Sequence, residues 1–159
     1  MIKSYRFFVL LVLLSLNLNS YAEDIRIEDI WVRASAPGQD SAMMDMTITS
    51  KRPATLISLS STTSKSVELH SMVHENGMMK MREAKTLALP AGKRINLGES
   101  GYHLMLIGLN APLTPGEIVQ LTLTIKMPDS SIKKIDTKAE IKPLTANRTA
   151  PKKSAHQPH

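Results

Sequence analysis

The chain has no cysteine among its 159 residues, and that absence removes several classes of protein at once. No disulfide braces it, and no thiolate is present to hold zinc in a finger or to sit with two imidazoles in a blue-copper electron-transfer site. A cysteine for lipid attachment is missing too, so a lipoprotein is not indicated. Aromatic residues make up 4% of the sequence, and beyond residue 22 only Trp31 and Tyr102 remain. With no recognition motif beside them, nucleic acid is not an expected partner. No segment keeps a helical period of apolar residues, which points away from helical folds. Long apolar runs are confined to the start, and nothing after Leu18 is apolar enough to span a bilayer.

That first run has the anatomy of a secretory signal peptide over residues 1–22. Lys3 and Arg6 supply the positive n-region, the apolar run from Phe7 continues to Leu18, and Ser20-Tyr21-Ala22 is a small-x-small cleavage site. Cleavage is expected after Ala22, giving a periplasmic protein with no stable membrane insertion. The remaining chain carries a mild positive excess concentrated at its C-terminal end, in Lys133, Lys134, Lys138, Lys142, Arg148, Lys152 and Lys153. A solvated basic face is the ordinary meaning of such a run. Residues 142–159 are rich in Pro, Lys, Thr and Ala with no apolar period, and read as a disordered basic tail. Residues 23–141 are the expected folded domain.

Within that domain the apolar pattern has period two. Residues 25–33 alternate with a change of phase at Glu28-Asp29, the sign of a strand with a bulge, and its Trp31 is expected to pack in the core. Residues 41–50 place Met44, Met46 and Ile48 on one face, where methionine fills gaps in a core. Further strands are read at residues 55–59, 67–74, 95–97, 102–109, 119–127 and 132–141, with a return strand after Asn76-Gly77. Turn clusters at Pro37-Gly38, Pro90-Ala91-Gly92 and Pro128-Asp129-Ser130 separate them. About eight or nine short strands of this spacing predict an all-β, Greek-key β-sandwich.

Two strands carry chemistry on their polar faces. Along residues 67–74, Val67, Leu69 and Val73 alternate with Glu68, His70, Met72 and His74; along residues 102–109, His103 and Met105 point the same way. Asn-Gly between two strand patterns is a strong two-residue hairpin signal. With Asn76 and Gly77 central, position 75 faces 78, 74 faces 79, and 72 faces 81. Met81 then stands opposite Met72 and diagonal to His70. Two imidazoles and two thioethers, His70, Met81, His103 and Met105, form a donor set suited to Cu(I), because thioether sulfur is a poor ligand for hard ions. The same set argues against a catalytic zinc site, which takes His or carboxylate ligands beside an open position, and no enzymatic activity is expected.

The spacing is specific: ten residues separate His70 from Met81, twenty-one separate Met81 from His103, and Leu104 alone separates His103 from Met105. With Met72 near the first His, this set resembles the signature of the PCuAC-type periplasmic copper chaperone family. Its flanks are similar as well, in Trp31-Val32-Arg33-Ala34 and in the strand that begins at Tyr102. The resemblance covers residues 25–141. It implies a cupredoxin-like β-sandwich binding one Cu(I) at an exposed site through His70, Met81, His103 and Met105, with Met72 as an auxiliary ligand because Ser71 separates it from His70. It also implies delivery to periplasmic copper proteins. The expected partners are subunit II of cytochrome c oxidase, with its dinuclear copper centre, and thiol-containing copper assembly factors. Some relatives bind Cu(II) through a His/Met-rich tail, whereas this tail offers only His156 and His159, a weak Cu(II) site at most. The competing readings are a copper-sequestering or tolerance protein with no dedicated delivery partner, and a metal-free structural β-sandwich.

Overall fold

The computed structural model describes residues 24–146, which form strands, turns and loops with no helix. The expected signal peptide lies outside the described residues, as do residues 147–159 of the expected tail, His156 and His159 among them. Ten strands follow one another: β1 (Ile25–Arg33), β2 (Ser41–Ser50), β3 (Ala54–Ser60), β4 (Ser64–Glu75), β5 (Met78–Glu83), β6 (Leu87–Leu89), β7 (Arg94–Leu97), β8 (Tyr102–Leu109), β9 (Ile118–Lys126) and β10 (Ile132–Lys142). Nine of them match the period-two segments of the sequence. The tenth, β6, is three residues long and is not among them.

Hydrogen-bonded neighbours run in the order β5-β4-β8-β2-β1-β10-β9-β3-β6, with β7 on β2. A single pairing of Leu59 on β3 with Val67 on β4 draws the sheet back on itself, so the architecture is a barrel-like sandwich. All pairings between these strands are antiparallel except β1 with β10. The bulge expected in β1 is present: register with β2 slips between Glu28 and Trp31, and Asp29 takes a positive φ of 52°. Asp29 and Glu28 turn outward there to meet the Arg94 guanidinium at 2.7 and 3.5 Å.

Inward-facing residues fill the sandwich with aliphatic and thioether groups. Met44, Met46 and Ile48 of β2, Leu104 and Leu106 of β8, and Val119, Leu121, Leu123 and Ile125 of β9 are buried in one cluster. Burial of such apolar surface is the driving force of a fold with no disulfide. Trp31 is buried as expected, though not among those residues. It lies on the face opposite Val32, covered by the Lys142 ammonium 4.8 Å and the Arg33 guanidinium 6.0 Å from its ring centre, both within cation–π range. β10 thus takes in Lys142, and Arg33 also donates to the Ala146 carbonyl at 3.1 Å.

Candidate metal site

The site is built on the outer face of the sheet end formed by β5, β4, β8 and β2. On β4, Val67 and Leu69 are buried, so alternation turns Glu68, His70, Met72 and His74 outward. On β8, buried Leu104 and Leu106 do the same for His103, Met105 and Ile107. Asn76 and Gly77 have φ of 52° and 75°, the left-handed pair of a type I′ hairpin turn. That turn fixes the β4–β5 register anticipated from the sequence: Glu75 faces Met78, His74 faces Met79, Met72 faces Met81 and His70 faces Glu83.

Across the other edge of β4, His70 pairs with His103 and Glu68 with Met105. The two imidazoles therefore stem from directly opposed positions, with Cβ atoms about 5 Å apart. Met105 is the next outward residue on β8. These three of the four expected ligands form a compact group. Met81 stands further out, two strands and four residues from Met105, roughly 16 Å between Cα atoms in a flat sheet. Met72, its register partner, stands between Met81 and the His pair. Met81 is 45% exposed, whereas His70, His103, Met72 and Met105 are half-buried.

His70 is oriented by a neighbour that sequence reasoning placed on the same face without giving it a role. Its Nε2 lies 2.8 Å from a carboxylate oxygen of Glu68. The same contact holds the Glu68 carboxyl below its usual range, helped by Ser66 and opposed by partial burial. With Nε2–H donating to Glu68, the lone pair is left on Nδ1, and that atom is buried and makes no hydrogen bond. Nδ1 of His103 is buried as well. A buried acceptor without a donor is costly, and a ring nitrogen freed by a carboxylate on the other nitrogen is the arrangement metal-binding histidines adopt. Among the described residues, no three His, Cys, Asp or Glu side chains are grouped to hold a metal ion; the further donors on this face are thioethers.

Met43 is the second residue that the sequence reading left without a role. It pairs directly with Met105, which places a thioether on the β2 side of the site. The signal was available: Met44, Met46 and Ile48 occupy the core phase of β2, so Met43 must occupy the other. Beyond it on the same face Asp45, 7% exposed, pairs with Trp31. The far side of the hairpin has a different character. There Glu75 meets Arg82 at 2.8 Å and Lys80 at 3.0 Å.

Fold and face together define a class: an all-β domain that carries a half-exposed imidazole pair flanked by thioethers on one sheet surface. The chain belongs to the LpqE-like family, whose model, described as putative lipoprotein LpqE-like, matches residues 25–132. It is 35% identical over 103 residues to a putative lipoprotein of Leifsonia xyli subsp. xyli, a match covering 64% of this chain and 62% of that relative's length. Among solved structures it is similar to the apo PCuAC domain of PmoF2, at 25% identity and a TM-score of 0.60 over 78% of this chain and 94% of that one. It is also similar to the solution structure of CuI-DR1885 from Deinococcus radiodurans, at 27% identity and a TM-score of 0.60 over 81% and 85%. The cupredoxin-like fold and the PCuAC resemblance read from the sequence are borne out.

Proposed function

We propose that this protein is a copper chaperone that binds one Cu(I) on the outer face of β4 and β8 and hands it to other exported copper proteins, without catalysing a reaction. The observation that carries the reading is the direct pairing of His70 with His103, with Met105 beside them and the Nδ1 atom of His70 buried and unbonded. His70, His103 and Met105 are the inner ligands. Met81 is the fourth, supplied by the hairpin, and Met72 is its auxiliary. A similar structure supports the metal: that of DR1885 was solved with Cu(I). Imidazole with thioether favours the monovalent state, since soft ligands select Cu(I).

Such a site also suits transfer. Thioethers are neutral, survive in an oxidising compartment and yield to the thiolates of an acceptor. The acceptors that fit are cytochrome c oxidase subunit II and thiol-containing assembly factors. The family is described as lipoprotein-like; these 159 residues hold no cysteine to acylate, and export by residues 1–22 would deliver a periplasmic protein. An anaerobic Cu(I) titration against a competing chelator tests it. One tightly bound Cu(I), strongly weakened in His103→Ala and Met105→Ala, is the expected result, and failure of the wild type to compete overturns it. Transfer to a purified dinuclear-copper domain then separates delivery from sequestration.

A further inference from the structure

Three regions outside the inner site bring polar or soft groups together: the cavity of about 150 Å³ between β3 and β4, the Trp31 stack, and the tip of the β4–β5 hairpin. The cavity is lined by Leu56, Leu59, Val67 and Leu69 with Glu68, Glu83 and Lys85 at its rim, a mixed lining that selects no ligand. The Trp31 ring is already covered by its own lysine and arginine. The hairpin tip differs from both.

At the tip, Nδ1 of His74 lies 2.8 Å from Sδ of Met79, and the two residues are register partners. Both are exposed, Met79 at 56%. One rung inward, Met72 faces Met81, and one rung further stand His70 and its partner His103. Register partners and alternate residues share a face, so this surface presents imidazole and thioether at His74–Met79, two thioethers at Met72–Met81, and then His70 between His103 of β8 and Glu83 of β5. The opposite surface bears Glu75, Lys80 and Arg82, closed into ion pairs. On the first surface the rungs at His74–Met79 and Met72–Met81 hold no carboxylate, lysine or arginine, while the opposite one combines these charges with Met78.

We propose that His74 and Met79, completed by the Met72–Met81 rung, form a second and weaker site for a soft monovalent cation. Cargo lands there before it reaches the His70–His103 pair. An imidazole and a thioether on neighbouring strands already converge, and a third donor is one rung away. Two or three soft neutral ligands suffice for a d¹⁰ monovalent ion and do not suit calcium or magnesium, which demand oxygen. Movement between the sites is ligand exchange: His74 and Met79 let go as His70 and His103 take hold, Met81 stays in reach of both, and the ion keeps its charge. The landing role rests on the Cu(I) reading of the inner site, whereas the outer site stands on its own geometry.

Silver(I), which is soft, monovalent and inert to air oxidation, is the probe. The purified protein with ¹³C-labelled methionine methyls and histidine rings is titrated with Ag(I) and followed by NMR, beside a His74→Ala/Met79→Ala double variant. The first equivalent is expected to shift His70, His103 and Met105. The second shifts the His74 ring and the Met79 methyl, with dissociation weaker by at least about tenfold. The double variant, altered only at exposed positions, loses the second equivalent and keeps the first unchanged. The proposal falls if His74 and Met79 stay unmoved through three equivalents, or if the double variant takes up as much silver as the wild type. Should His74 and Met79 shift while His70 and His103 do not, the outer site stands and the inner-site function fails.

Discussion

Met43 and Met44 are adjacent in sequence and belong to different parts of the molecule. Met44, with Met46, points inward on β2 and is essentially without solvent contact, at 0% and 1% exposure. Met43 faces outward beside Met105, in the region that also holds Met72 and Met81. The side chain is the same, and only its phase along a strand differs. In the core its flexibility fills irregular space, and its sulfur is shielded from any ion. On the outer face the same side chain stands opposite Met105, on the surface that also bears the paired His70 and His103. Residue type alone therefore does not single out a candidate ligand; the strand register does.

The comparison breaks most sharply with paired alanine variants. His103→Ala and Met105→Ala are expected to weaken Cu(I) binding by two orders of magnitude or more, with the melting temperature little changed. Met44→Ala should do the reverse, costing about 2–5 kcal/mol for a buried methionine while metal affinity in the folded fraction holds. Chelator competition read beside denaturant unfolding checks both halves, and a Met44→Ala variant that loses copper without losing stability would erase the distinction. Next in size, Glu68→Gln should weaken Cu(I) affinity by about tenfold, the lower end of what orienting partners of metal-bound histidines contribute, with little change in unfolding.

A smaller contrast lies within the hairpin. Met81→Ala is expected to weaken Cu(I) more than Met72→Ala, and the opposite order in a competition assay would make Met72 the fourth ligand. On the scaffold side, Gly98 has a φ of 149°, and a Cβ there would sit 1.9 Å from a carboxylate oxygen of buried Asp45. Gly98→Ala should destabilise by about 1–3 kcal/mol, read by urea unfolding. The smallest effect is on acid stability. Hydrogen bonds from Lys133 and then Arg52 hold the Asp24 carboxyl below its ordinary value. A carboxyl lowered on folding contributes stability above its unfolded pKa of about 3.9, and that contribution is lost as pH falls through the folded value. Asp24→Asn should therefore flatten the loss of stability below about pH 4, measured by unfolding at pH 7 and pH 3.

The outward phase of β4 and β8 was legible because Val67, Leu69, Leu104 and Leu106 are aliphatic at every second position. The hairpin register was legible because Asn76-Gly77 admits one tight turn. What period two does not carry is which strands become neighbours. Nothing local to residues 67–74 says that β8, some thirty residues later, will pair His103 with His70, so that pairing and the approach of Met43 from β2 emerge only with the sheet order. Trp31 shows the same limit: its burial was readable, and its cover, a lysine from β10, was not.

The place of β5 at the end of the strand order has a consequence for self-association. Its backbone pairs with β4 on one side only, leaving a row of amide and carbonyl groups on the other, the kind of border through which sheets of separate molecules join. Lys80, Arg82 and Glu83 occupy that border together with three methionines. Their charges make it a poor template for a second copy of itself, and the strand can remain uncovered without seeding polymers.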